Sequence, residues 1–291
     1  MQFKILITIA LCVFTAVAVN GREGRVKRLI SGIESDHSES PYMVSLQGEA
    51  VKSTFFGIPT SYSHAYCGGT IISERWILTA AHCFRSISDP DDWHARIASP
   101  NLERTSAELF LHMIGKLVGN VNLQQMEYHA EEIIQHPDFN AKGDLENDIA
   151  LVKLKETIPF GETSRVGKVQ RANSTDTFIA GSCTAYGWGC DEIGTGTADV
   201  ILKANLPILT NEACSRYWDI SPTQICAGGR SANMQSACHG DSGGPLVCKT
   251  AADDLKQVGV ISFISYTQPT LFPVVLSRIS AFESWINSHI N

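Results

Sequence analysis

The sequence predicts an all-β fold, a barrel or sandwich of antiparallel strands with one helix at the C-terminus. Three observations carry that expectation. Short apolar runs recur along the chain with turn residues between them. The strand–helix alternation of a doubly wound sheet is absent. Only the last stretch, 278–290, carries a helical stripe, with Ile279, Phe282, Trp285, Ile286 and Ile290 at the spacing of one helix face.

In chain order the strand-like runs are Tyr42–Leu46, Thr70–Ile72, Trp76–Thr79, Ile149–Leu154, Val200–Leu206, Pro245–Val247, Val258–Ile264 and Val274–Leu276. Gly48–Tyr66 reads as a long segment between strands, and Pro100–Tyr128 has weak periodicity of either kind. Long surface segments of this sort are more often insertions than functional loops.

Ahead of the first strand, residues 1–20 read as a secretory signal. Lys4 is the only early charge, Ile5 to Val19 is apolar, and Ala16-Val17-Ala18 has the small-x-small form of a cleavage site. The run is shorter than the ~20 residues of a spanning helix, and no later apolar stretch is long enough to span, so no membrane partner is expected. Residues 21–28 are polar and basic, end in Lys27-Arg28, and read as a propeptide. Residues 29–291 remain as the folded part, long enough to bury a large core.

At 44% hydrophobic and 18% charged residues the composition is globular rather than disordered. The net charge of −7 argues against nucleic acid as a partner. Loss of residues 1–28 removes Lys4, Arg22, Arg25, Lys27, Arg28 and Glu23 and leaves about −11. Cys12 leaves with the signal, and eight cysteines remain: Cys67, Cys83, Cys183, Cys190, Cys214, Cys226, Cys238 and Cys248. An even count in an exported chain reads as disulfides, while the lack of paired C-x-x-C spacing argues against a metal. Eight cysteines allow 105 connectivities, and spacing alone does not choose among them.

Three segments carry chemistry: Thr79-Ala80-Ala81-His82-Cys83, Asn147-Asp148-Ile149-Ala150-Leu151, and Gly240-Asp241-Ser242-Gly243-Gly244-Pro245. A serine hydroxyl is a poor nucleophile at neutral pH. It needs a base to take its proton, and the base needs a third group to hold its tautomer. The glycine-rich turn could also aim backbone N–H groups at an oxyanion. Gly240–Gly244 fits the nucleophile elbow of α/β-hydrolases as well, whose triad runs Ser…Asp…His. Downstream of Ser242 there is only His289, with Asp253, Asp254 and Glu283 as acids, and the α/β pattern is missing.

In the order His…Asp…Ser, the three motifs resemble the chymotrypsin-like, trypsin-fold serine endopeptidases, from Leu29 to the C-terminal helix. The resemblance implies two antiparallel six-stranded β-barrels packed with the active site between them. It implies Ser242 as nucleophile, His82 as general base and acid, and Asp148 as the ionised group that orients the ring. Backbone N–H groups of Gly240 and Ser242 would form the oxyanion hole. Ser262 matches the serine that supports the buried aspartate.

The family also implies a zymogen. Cleavage after Arg28 would free the α-ammonium of Leu29 to pair with Asp241 and lock the Gly240 turn. Leu29 replaces the usual isoleucine. For the cysteines the resemblance suggests Cys67–Cys83, Cys183–Cys248 and Cys214–Cys226. The family's partner for Cys238, in the loop after Ile264, is missing here. Cys190 is the orphan, so Cys190–Cys238 is the expected fourth bond.

Three positions map to the primary pocket: Ser236 at its floor, and Ile264 and Val274 at its walls. Without an aspartate at Ser236 a basic side chain has no counter-charge, and two branched walls leave room only for a small apolar residue, an elastase-like preference. Main-chain groups of Ser262 and Ile264, around Phe263, should pair with the substrate as an added strand. The expected partners are protein or peptide substrates, an activating protease of basic specificity and protein inhibitors. A monomer is expected, with no cofactor and no metal. Asn173-Ser174-Thr175 is a glycosylation sequon. A non-catalytic protease homologue that binds through a blocked cleft is the alternative from another class, and a small esterase is a third.

Overall fold

The computed structural model describes residues 30, 32–56, 58–99, 101–102, 127–140, 143, 145–160, 166–190 and 197–290. The expected signal (1–20), the propeptide (21–28), Leu29 and most of Pro100–Tyr128 lie outside them. Among the described residues no helix is long and apolar enough to cross a membrane.

Six strands close the first barrel: β2 (Met43–Phe55), β3 (Ile58–Ile71), β4 (Trp76–Thr79), β5 (Trp93–Ile97), β6 (Glu127–Gln135) and β7 (Ala150–Leu154). Hydrogen bonding runs β2-β3-β4-β7-β6-β5, and β2 returns to β5 with Leu46 opposite Ala95. Alternation along the strands points Val44, Leu46, Ile71, Ile77, Leu151 and Trp93 into one core. Trp93 packs edge-on against Phe84 and gives its indole N–H to the Ile87 carbonyl at 3.0 Å, so the ring is buried with its one donor satisfied.

The second unit is a nine-stranded sheet. Its long strands are β9 (Thr184–Gly187), β10 (Leu202–Asn205), β12 (Gln224–Ala227), β13 (Pro245–Lys249), β14 (Leu255–Phe263) and β15 (Val274–Arg278). They follow one another as β10-β9-β13-β14-β15-β12. Three two-residue strands are added: β1 (Ile33–Glu34) beside β10, β11 (Ile208–Leu209) beside β12, and β8 (Gln170–Arg171) parallel to β14. The first unit is a closed six-stranded barrel as expected; the second is a sheet, consistent with the trypsin-like expectation, whose strand order does not close on itself among the described residues. Leu202, Leu206, Ile225, Leu246, Ile261 and Leu276 fill the interior.

Helix α1 (Asn211–Cys214) is a single turn capped by the Thr210 hydroxyl, which accepts from the Ala213 N–H at 3.2 Å. Helix α2 (Glu283–Ile290) docks on the first barrel through Ile286, with Trp285 and Ile290 partly buried beside it and Phe282 packed just ahead of its start. The C-terminal stripe is split. Ile279–Ala281 forms a separate tight turn because Phe282 leaves the helical region, at φ −111° and ψ 7°.

The largest departure from expectation is at Gly48–Tyr66. It is regular structure: β2 and β3 run on past the barrel as one hairpin, paired from Gly48–Ala65 out to Phe55–Ile58.

Candidate active site

The Gly240–Gly244 turn lies between the two units and is bonded to both. On one side the Gly243 N–H donates to the Ile261 carbonyl of β14 at 2.8 Å, and the Ile261 N–H returns to Gly244 at 2.9 Å. On the other, the Gly68 N–H of β3 donates to the Ser242 carbonyl at 2.7 Å. Gly240 and Gly243 sit at φ +97° and +79°, in the left-handed region that side chains disfavour. A β-carbon on Gly243 would stand 2.2 Å from Thr79 Oγ1 and 2.5 Å from the Gly68 carbonyl. The nucleophile motif therefore touches the segment leading to His82 directly. Gly243→Ala is expected to lower stability by at least about 3 kcal/mol and to remove activity, read by thermal melting and peptide hydrolysis.

His82 stands in a short 3-10 turn, Ala81–Phe84, at the end of β4. Its backbone N–H donates to Asp148 Oδ1 at 2.8 Å, and its ring Nδ1 lies 2.6 Å from Asp148 Oδ2. The Ser262 hydroxyl donates to the same Oδ2 at 2.5 Å. Asp148 is fully buried, so its carboxylate exchanges water for three protein donors. Ser262 reaches it because β14 bulges there: Ile261 pairs with Leu276 and Phe263 with Val275, leaving Ser262 as the extra residue. A neutral imidazole held at Nδ1–H by a carboxylate leaves its Nε2 lone pair free to accept a proton.

Asp241 is also fully buried. Its oxygens accept from the Gly189 N–H at 2.8 Å and the Cys238 N–H at 2.7 Å. Among the described residues it has no cation partner. Burial pushes its carboxyl up to about 7, against the two N–H groups, which pull it down. Arg28 and Leu29, the expected activation residues, lie outside the described residues.

Four disulfides are present: Cys67–Cys83, Cys183–Cys248, Cys190–Cys238 and Cys214–Cys226. Cys67–Cys83 joins the strand that touches Ser242 to the turn that holds His82. Cys190–Cys238 ties the Gly187–Gly189 segment to the residues before the nucleophile, and the Cys190 N–H also donates to the His239 carbonyl at 2.9 Å.

At the expected pocket, Ser236 is fully buried, and its hydroxyl has no hydrogen-bond partner among the described residues. Val274 is fully buried, and half-buried Ile264 packs on the cluster that contains Val274 and Ala237. The loop after Ile264, which lacks a cysteine, is fastened by aromatic rings. The Trp218 indole donates to the Pro273 carbonyl at 2.8 Å, and its ring centroid lies 5.3 Å from Phe263 and 5.5 Å from Phe272. Asn173 lies in a turn where its Oδ1 accepts from the Thr175 N–H at 2.9 Å.

Three residues support the site without a role assigned from sequence, Thr79 within the histidine motif and Ser277 and Trp218 outside every motif. Thr79 Oγ1 donates to the Gly68 carbonyl at 2.8 Å, Ser277 Oγ donates to the Asp148 carbonyl at 2.7 Å, and Trp218 braces the loop. A serine ending the apolar run Val274-Val275-Leu276 was the available signal for Ser277.

A buried aspartate that holds a histidine ring, beside a glycine turn carrying a serine between two β units, is the arrangement expected of a hydrolase that uses an activated serine. A family model described as Trypsin matches residues 29–286. The chain belongs to the trypsin family, and it is a serine protease whose substrates are proteins or peptides.

Proposed function

We propose that this protein is a secreted endopeptidase, made as a zymogen, cleaved after Arg28, and selective for bonds that follow small apolar residues. The observation that carries the catalytic part is the single carboxylate, Asp148, holding His82 and Ser262 next to a turn bonded to β3 and β14. In this reading Ser242 attacks the scissile carbonyl while His82 takes the hydroxyl proton. The tetrahedral oxyanion forms against the N–H groups of Gly240 and Ser242. His82 then protonates the leaving amine, and water repeats the sequence on the acyl-enzyme. Four disulfides support an oxidising, extracellular setting. In this reading the protein acts as a monomer open to protein inhibitors, and no cofactor takes part in any step.

The test is a burst measurement. After cleavage by a protease of basic specificity, p-nitrophenyl acetate should release one equivalent of nitrophenol rapidly, then turn over slowly. A chain that shows no burst after verified cleavage at Arg28 is the non-catalytic homologue instead.

Selectivity follows from Ser236, Ile264 and Val274. On a panel of p-nitroanilides, kcat/KM for Ala or Val before the cleaved bond should exceed that for Phe by at least about tenfold. Arg should be a poor substrate, because the pocket floor carries no acid. Preference for Arg, Lys or Phe contradicts the pocket assignment and leaves the catalytic assignment standing.

A further inference from the structure

Asn173-Ser174-Thr175 is the one Asn-x-Ser/Thr sequence in the chain, with no proline at its middle position. No catalytic assignment uses it. The fold closes it into a turn: the Asp176 N–H donates to the Asn173 carbonyl at 3.4 Å, with Ser174 and Thr175 at the two central positions. The Asn173 side chain is held by its oxygen alone. Oδ1 accepts from the Thr175 N–H at 2.9 Å and from the Thr175 hydroxyl at 2.8 Å. Nδ2 has no acceptor among the described residues, and Ser174 and Thr175 are exposed. The side-chain nitrogen is thus the one polar atom of Asn173 that the fold leaves unused.

The surrounding bonds keep the turn in this shape. The Asn173 N–H donates to Asp176 Oδ2 at 2.8 Å, and Asp176 Oδ1 accepts from Lys256 Nζ at 2.5 Å. The Ala172 N–H donates to the Gln257 carbonyl at 2.9 Å, which continues the pairing of β8 with the start of β14. Ser262, which bonds Asp148, lies at the other end of β14. The strand between Gln257 and Ser262 spans roughly 15 Å. A large group on Nδ2 therefore stands at the end of β14 remote from the catalytic residues and breaks no hydrogen bond of the turn.

We propose that Asn173 carries an N-linked oligosaccharide. The proposal rests on export of the chain, one part of the function proposed above, and goes beyond it by naming the modified atom. The donor is an oligosaccharide joined through pyrophosphate to a membrane polyprenol, used by a transferase of the secretory route. Nδ2 attacks the anomeric carbon and the carbon–nitrogen bond forms. The bond from that carbon to the phosphate oxygen breaks, and the pyrophosphate leaves with the electron pair. One of the two Nδ2 protons passes to a base of the transferase. The turn is specified by four consecutive residues, so it forms without the closed barrel or the sheet. After transfer both bonds to Oδ1 persist, and the folded domain carries the sugar at its surface.

The test expresses the full chain in mammalian cells, collects it from the medium and treats it with peptide N-glycosidase F in heavy-oxygen water. The intact protein should lose the mass of one oligosaccharide, and peptide mapping should recover Asn173 as a heavy-oxygen aspartate. Asn173→Gln and Thr175→Ala should each abolish the mass loss. Thr175→Ser should keep it, because the hydroxyl that bonds Oδ1 is retained. Secreted protein with Asn173 unmodified overturns the proposal, and so does a sugar that survives Asn173→Gln. If Asn173→Gln is not secreted, the digest of the unsubstituted chain decides. If the unsubstituted chain itself stays inside the cell, the export reading fails. The same chain behind a proven signal sequence then decides Asn173 by the same digest.

Discussion

Ser242→Ala is expected to lower kcat by about 10⁶-fold and to leave the fold intact, because in the proposed mechanism the hydroxyl it removes forms the acyl bond. Ser242 is half-buried, and its backbone contacts use the Ser242 carbonyl rather than the side chain, so the turn survives the change. His82→Ala should cost a similar factor, and the double variant little more, since nucleophile and base act as one unit. Asp148→Asn should cost roughly 10⁴-fold. The Asp148 carboxylate accepts from the His82 N–H, the His82 ring and the Ser262 hydroxyl together. An amide offers one oxygen, so its NH₂ would face a donor and drive the imidazole to the tautomer with Nε2 protonated. Burst kinetics on the four purified variants, with circular dichroism as the folding check, reads all of these.

The second large effect concerns Asp241. In the uncleaved chain its carboxyl titrates at about 7, whereas an unfolded aspartate titrates near ~3.9. Between those values the folded state keeps a proton that the unfolded state has lost. The contribution is therefore fully present below about pH 4, declines as pH rises toward 7, and is flat above that. Its size is on the order of 4 kcal/mol across the window. Melting temperatures of the uncleaved Ser242→Ala protein should fall from pH 5 to pH 8, and Asp241→Asn should flatten the slope. Cleavage after Arg28 should also flatten it, because the Leu29 α-ammonium then stabilises the ionised carboxylate. A slope that is the same before and after cleavage contradicts the proposed activation.

Where the sequence was legible, the reason is local. β4, β13 and β15 open on short, continuous apolar runs bounded by turn residues, so Trp76, Pro245 and Val274 mark strand starts in both sequence and structure. The three motif segments are short and dense in chemistry, and the contact of the Ser242 turn with Gly68 and Thr79 follows from β3, β4 and β14 converging on it. Gly48–Tyr66 was illegible because the hairpin has solvent on both faces. In its outer part, residues 51–55 and 58–60, every residue is exposed and polar and apolar residues do not alternate by face, and Phe56 takes a turn position, φ +50°, where asparagine or glycine is the usual cue. β5 was hidden for a different reason. It carries the buried Arg96, whose guanidinium donates to Ser99 Oγ and the Asn101 carbonyl just beyond the strand and lies 3.7 Å from Glu127 on the paired strand β6, so a charge stands where a buried strand is expected to be apolar. The brace at Trp218 is likewise invisible in spacing, since Pro273 and Phe272 lie more than fifty residues away.

The most direct measurement is covalent labelling with a fluorophosphonate, mapped by mass spectrometry. A single adduct on Ser242 in the cleaved chain, lost on His82→Ala and sharply reduced in the uncleaved chain, is the predicted result. Failure to label the verified cleaved protein, or an adduct on any other serine, would contradict the assignment of an activated hydroxyl to this turn.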